Sequence, residues 1–155
     1  MASRELNKLS FPMRRMAENF LDACGVDPWL LNNGIAVVVT CTWRSDAEQD
    51  DLYAQGRTRP GRIVTRARGG ESKHNAVDAA GQPFAEAIDV VPLRHGKPVW
   101  GTKGNGIDDD PSDDDTDDLE VWQHVGAIGK ACGLKWYGDP DAPFHESPHF
   151  QNPAA

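Results

Sequence analysis

The sequence predicts an α+β fold: a single domain over residues 1–155, with a small antiparallel sheet flanked by about three helices. Three observations predict it. The run from Ile35 to Thr42 is dense in β-branched residues and reads as a buried strand. Three other segments carry helix signals, either apolar spacing with a terminating glycine or a capping box. The 155 residues hold no internal repeat and no interdomain linker, so one core must serve them all.

Residues 12–24 form the first, amphipathic helix. Pro12 suits its first turn, Met13, Met16, Phe20 and Cys24 fall at helical spacing with Ala17 and Leu21 beside them, and Gly25 stops it. After the strand at 35–42, Ser45-Asp-Ala-Glu48 is a capping box that opens a second helix, closed by Gly56. Arg44 therefore stands at a strand-to-helix junction, where a side chain can point into a cleft. Residues 57–86 are rich in glycine and read as loop. Ala87–Pro92 is a short second strand. From Lys97 to about Thr116 the chain reads as an exposed insertion, Asp-rich near 103–118. A third helix places Leu119, Trp122, Val125 and Cys132 on one face and ends at Gly133. Leu134–Tyr137 and Pro148–Gln151 read as the last two strands.

Composition removes several classes. The formal charge of −8 argues against a general nucleic-acid binder, which needs a basic footprint. No apolar run approaches the roughly 20 residues of a membrane span. The first residues lack the apolar segment and cleavage site of a secretory signal, so synthesis in a host cytoplasm and action on the wall after release are expected. Cys24, Cys41 and Cys132 are odd in number and far apart, and read as reduced, buried small hydrophobes. Charge is unevenly spread: Arg57, Arg59, Arg62, Arg66 and Arg68 cluster in one loop, while 108–120 holds eight Asp and one Glu. The basic loop reads as solvated, with an anionic polymer as its alternative partner. The acidic run reads as solvated too, with calcium as the alternative, although it lacks the spacing of a calcium loop.

Three distant segments carry residues suited to chemistry: Ser72-Lys-His-Asn75, Ala87-Ile-Asp89 and Glu146-Ser-Pro-His149. Each sits at a loop–strand boundary, where a scaffold presents functional groups. Two imidazoles, one carboxylate and an open position make a catalytic zinc set. Zinc so held lowers the pKa of water to about 7 and polarises a carbonyl. A carboxylate outside the coordination sphere then moves the proton, and Glu146, three residues before His149, can do so. Pro148 between them favours an extended turn over a helix.

Read in order, these stretches resemble the D-Ala-D-Ala carboxypeptidase and L-alanyl-D-glutamate peptidase family (the M15 or VanY-like zinc peptidases), in particular its phage endolysin members. The resemblance rests on Thr42–Gly61, Ser72–Asn75, Ala87–Val90 and Pro148–Gln151. It implies the family's fold (D-Ala-D-Ala carboxypeptidase/Hedgehog-like), a zinc ion on His74, Asp89 and His149, and Glu146 as catalytic carboxylate. It further implies that Arg44 stabilises the developing oxyanion and that Ser72 orients the substrate or the site.

One departure stands out. The family spacing puts the Asp seven residues after the His; here Asp89 follows His74 by fifteen. The extra Val77–Phe84 is expected to bulge as a loop. Asp78 is the rival ligand, but Asp89 leads into an apolar strand that fixes its direction. His95, His124 and His145 read as surface residues, and Trp100, Trp122 and Trp136 as core.

The expected activity is endopeptidase cleavage of the L-alanyl-D-glutamate bond of peptidoglycan stem peptide by a monomer without nucleic-acid or membrane partners. A D-alanyl-D-alanine carboxypeptidase on the same site and a non-catalytic wall-binding module are the alternatives.

Overall fold

The computed structural model describes residues 2–100, 118–143 and 145–155. The Asp-rich stretch up to residue 117, and with it the calcium expectation, lies outside the described residues; Asp118 already belongs to a helix.

Helix α1 runs Phe11–Val26. Ser10 caps it by accepting the Met13 amide at 3.2 Å, and Met13, Ala17, Phe20 and Cys24 are its buried stripe. Gly25 does not stop it. The stop is Asp27, which also caps the short helix α2, Pro28–Asn32, by accepting the Leu30 amide at 3.0 Å. An Asp cap followed by Pro is a helix-start signal that the sequence reading passed over.

Strand β1, Ile35–Cys41, leads to α3, Asp46–Ala54, whose Ser45–Glu48 capping box forms as expected. A long loop, interrupted by a 3-10 turn at Lys73–Asn75, reaches β2, Ala87–Arg94. Strand β3 is only Lys97–Pro98, yet it pairs with β2, and the adjoining Val99 is buried. The chain expected to open an insertion at Lys97 therefore begins by closing a hairpin. Trp100 beyond it is 60% exposed, not core. Helix α4, Asp118–Ala131, is followed by β4, Lys135–Trp136, and β5, His149–Gln151.

All pairings are antiparallel, in the order β1-β2-β5-β4 with β3 on β2. One face of the sheet carries Ile88, Val90 and Phe150 into the core beneath α1 and α4, where Phe20 and Phe150 meet at 4.7 Å. The helix α4 lies close on this face because Gly126 and Gly129 have no Cβ; one added at Gly126 would collide with the Trp136 ring, and one at Gly129 with Phe150.

The register sets up the opposite face. Asp89 pairs with Cys41 on β1 and with His149 on β5, so three functional side chains lie in one row across three strands. A bulge between Val39 and Cys41 makes the first pairing possible. Val39 pairs with Val90 on the core side, and skipping Thr40 turns Cys41 to the Asp89 side.

Candidate metal centre

Asp89 is the hub. Its Oδ1 lies 3.1 Å from His74 Nε2 and 3.2 Å from His149 Nδ1, and its Oδ2 accepts from Arg44 Nη2 at 3.1 Å. Cross-strand pairing brings Asp89 and His149 together, because directly opposed residues in an antiparallel ladder share a face. His74 arrives from the 3-10 turn. The Ser72 hydroxyl accepts the His74 amide at 3.2 Å, and the Asn75 side chain returns to the Ser72 amide, closing a reciprocal cap. Asn75 Nδ2 also donates to the Arg44 carbonyl at 2.9 Å, and the Arg44 amide to the His74 carbonyl at 3.1 Å, which ties the turn to the end of β1. Ser72 thus supports the segment that carries His74, while also lining the cleft.

The far nitrogen of each imidazole is committed. His74 Nδ1 donates to the Thr42 carbonyl at 2.8 Å, and His149 Nε2 donates to Gln151 Oε1 at 2.9 Å, since both oxygens can only accept. In the neutral rings, the remaining lone pairs on His74 Nε2 and His149 Nδ1 therefore face a carboxylate oxygen. Two such lone pairs turned on one carboxylate oxygen require positive charge among them, and carbonyl oxygens behind both rings are the arrangement that orients metal-ligating histidines. The donor set fits a divalent ion held by His74, Asp89 and His149.

Protonation behaviour says the same. Burial disfavours a charged His74, but the Asp89 carboxylate overrides it and pushes the imidazole up to about 10 in the metal-free protein. Burial likewise opposes ionised Asp89, yet His74 and His149 hold it well below the usual carboxylate range.

Cys41 is the residue that sequence reasoning misplaced. It is buried, but not among hydrophobes alone: its Sγ lies 3.7 Å from His74 Nδ1 and accepts from Arg44 Nη2 at 3.3 Å. Ligand atoms of Cys41, His74 and Asp89 all fall within 4.8 Å of one another. A cation on the Cys41 side would meet the Arg44 guanidinium and the nitrogen His74 uses to donate, whereas the His149 side presents a free lone pair. The His74–Asp89–His149 set is the better cradle.

Glu146 stands beside the cluster, Oε2 being 3.8 Å from His149 Nδ1. Its loop is well held: the Glu146 amide donates to the Tyr137 carbonyl, the His149 amide closes a turn on the Glu146 carbonyl, and Trp136 Nε1 donates to the Ser147 carbonyl at 2.7 Å. That turn is the arrangement Pro148 suggested. Burial raises the Glu146 pKa above its ordinary value, partly offset by His149. A carboxylate shifted this way is a stronger proton acceptor than an ordinary one. Arg44 is buried against Asp89, Cys41 and Gln49. It positions the carboxylate, and it also lines the cleft of about 270 Å³ in front of the centre.

Asp78 is elsewhere. Residues 76–84 leave and return at one neck, where the Phe84 amide donates to the Ala76 carbonyl at 2.9 Å. Asp78 caps the tip of this excursion through the Ala80 and Gln82 amides and is exposed. His95 and His145 are exposed. His124 is not a free surface residue: it is half-buried, stacked on Trp29 at 4.4 Å, and bonded to Asp27 Oδ2 at 2.8 Å. Gln151 was legible, since it shares a strand face with His149 at i+2; the buried Gln49 gave no such signal.

Two strand-borne side chains, a third from the 3-10 turn and a carboxyl beside them form a cradle that fits a divalent ion. The sequence of the chain also has a relative of known activity. Over 121 residues, 77% of this chain, it is 40% identical to the peptidoglycan L-alanyl-D-glutamate endopeptidase CwlK of Bacillus subtilis strain 168. The match spans 62% of the relative's length. The L-Ala D-Glu endopeptidase ChiX of Serratia marcescens shares the fold, with a TM-score of 0.54 at 15% identity, over 98% of this chain and 88% of that one. No family model matches the chain.

Proposed function

We propose that the chain is a zinc-dependent endopeptidase that hydrolyses the L-alanyl-D-glutamate bond of peptidoglycan stem peptide. The observation that carries this reading is the convergence of His74 Nε2, Asp89 Oδ1 and His149 Nδ1, with Glu146 alongside. The activity of the Bacillus subtilis relative supplies the substrate class.

His74, Asp89 and His149 would hold the zinc ion. When bound, the ion would supply Lewis acidity toward the scissile carbonyl and toward water, whose pKa such ions lower to about 7. Glu146 accepts that proton and returns it to the leaving amine, its raised pKa matching both tasks. Arg44 donates to Asp89 Oδ2 and so aims the carboxylate, and its position in the cleft wall suits it to stabilise negative charge developing on the carbonyl oxygen. Action on the wall as a monomer, in the manner of a phage endolysin, is part of the same proposal and rests on the resemblance alone.

Mass spectrometry of a digested stem peptide tests it. Products split between alanine and glutamate support the endopeptidase, and loss of a terminal alanine supports the carboxypeptidase alternative. Full activity after exhaustive chelation would overturn the metal-dependent reading.

A further inference from the structure

The cleft does not end at the metal centre. It continues into a second hollow of about 650 Å³ walled by Ile63, Val64, Arg66 and His145, and Glu146 lines both parts. If Glu146 hands its proton to the leaving amine, this second hollow lies on the leaving-group side. Its wall is the Arg-rich loop that the sequence read as solvated, with an anionic polymer as the alternative partner.

The arginines of that loop divide by what they do. Arg57 is a strut: it donates to the Tyr53 and Thr65 carbonyls and lies over the Tyr53 ring at 3.8 Å. Arg59 donates to the Asp51 carbonyl at 2.6 Å. Arg66 lines both parts of the cleft, yet its guanidinium makes no hydrogen bond or ion pair among the described residues. Its backbone is nevertheless fixed on both sides. The buried Gln49, which also accepts from Arg44, donates to Thr65 Oγ1 at 3.2 Å and to the Ala67 carbonyl at 2.8 Å. The exposed apolar side chains of Ile63 and Val64 stand next to this cation. An unpaired guanidinium on a backbone anchored to either side, in a concave wall, is suited to receive a carboxylate.

We propose that this hollow receives the residue that leaves as the amine, and that Arg66 determines specificity by binding a free carboxylate on that residue. The inference rests on the peptidase reading above. Its chemistry is direct: a glutamate acylated at nitrogen has two carboxyl groups, one continuing the chain and one left free beside the scissile bond. A terminal D-alanine would offer a carboxylate in the same neighbourhood.

The zinc-loaded full chain, as wild type, Arg66→Ala and Arg66→Lys, is given three synthetic peptides. One carries an L-alanyl-D-glutamate bond with the free carboxylate, the second has that group as a primary amide, and the third ends in D-alanyl-D-alanine. Cleavage and calorimetric binding are both measured, with zinc content as the control for an intact site. Wild type is expected to prefer the carboxylate peptide over the amide by about 10- to 100-fold in kcat/KM, chiefly through KM. Arg66→Ala should bring that ratio close to one, with Arg66→Lys between. Arg66-dependent cleavage of the third peptide would assign the carboxylate to a chain end. A wild-type ratio near one, or an unchanged ratio in Arg66→Ala, overturns the proposal. If no peptide is cut but the carboxylate form binds in an Arg66-dependent way, the receptor stands and the peptidase reading falls. If binding does not discriminate either, both fall.

Discussion

Asp89 and His149 oppose each other across β2 and β5, with Oδ1 and Nδ1 3.2 Å apart, so one rung of a ladder delivers two of the three candidate ligands. Because the strands fix these side chains, the site should separate cleanly into binding and proton transfer. His149→Ala is expected to lose bound zinc. Glu146→Gln should keep it while hydrolysis falls by about 10²- to 10⁴-fold. Metal analysis of both purified variants, beside peptide cleavage assays, checks this. Zinc lost from Glu146→Gln would mean that Glu146 is a ligand.

Gln151 acts one step behind His149. Its side-chain oxygen accepts a hydrogen bond from Nε2–H, which holds the tautomer that leaves Nδ1 free to bind. Gln151→Leu should weaken zinc binding by about 10- to 100-fold without removing any ligand. Competition with a calibrated chelator measures the change; an unaltered affinity would show that the tautomer needs no such partner.

Gly126 tests the packing beneath the site. A methyl there gains up to about 1 kcal/mol of helix propensity. It also drives into Trp136, whose ring cannot yield easily because Nε1 is bonded to Ser147. Overpacking of this kind costs about 1–3 kcal/mol, so Gly126→Ala should be net destabilised in a denaturant titration.

Asp27 gives stability a pH dependence. Its partial burial raises its pKa, but the Leu30 amide and His124 outweigh that and hold it below the ordinary value. A folded-state pKa below the unfolded one means that the unfolded chain binds protons first as pH falls. The contribution is therefore complete above about pH 4 and disappears as pH drops through the folded-state value. The stability gap between wild type and Asp27→Asn should close over that acid range, and a gap that stays constant would rule the charge out.

Helices α1, α3 and α4 and the two longer strands were legible because apolar spacing, capping boxes and β-branched runs are local signals, whereas the short α2 was passed over. The three candidate ligands were legible only through the resemblance, since nothing local joins His74 to His149. What the sequence hid was register. That Asp89 lies between Cys41 and His149 depends on a bulge at β1, and a bulge leaves no mark in a run of valines and threonines. Cys41 therefore read as a core residue. Strand β3 was hidden for a different reason: two residues beside a glycine turn carry too little pattern to separate from loop.

The Ala76–Phe84 neck has a consequence for the chain's history and its handling. Because the two ends of the excursion are bonded to each other, its length is uncoupled from the distance between His74 and Asp89. Gain or loss of residues there should leave His74 and Asp89 in place, so this tip is expected to tolerate length changes between relatives and the splicing-in of a reporter peptide.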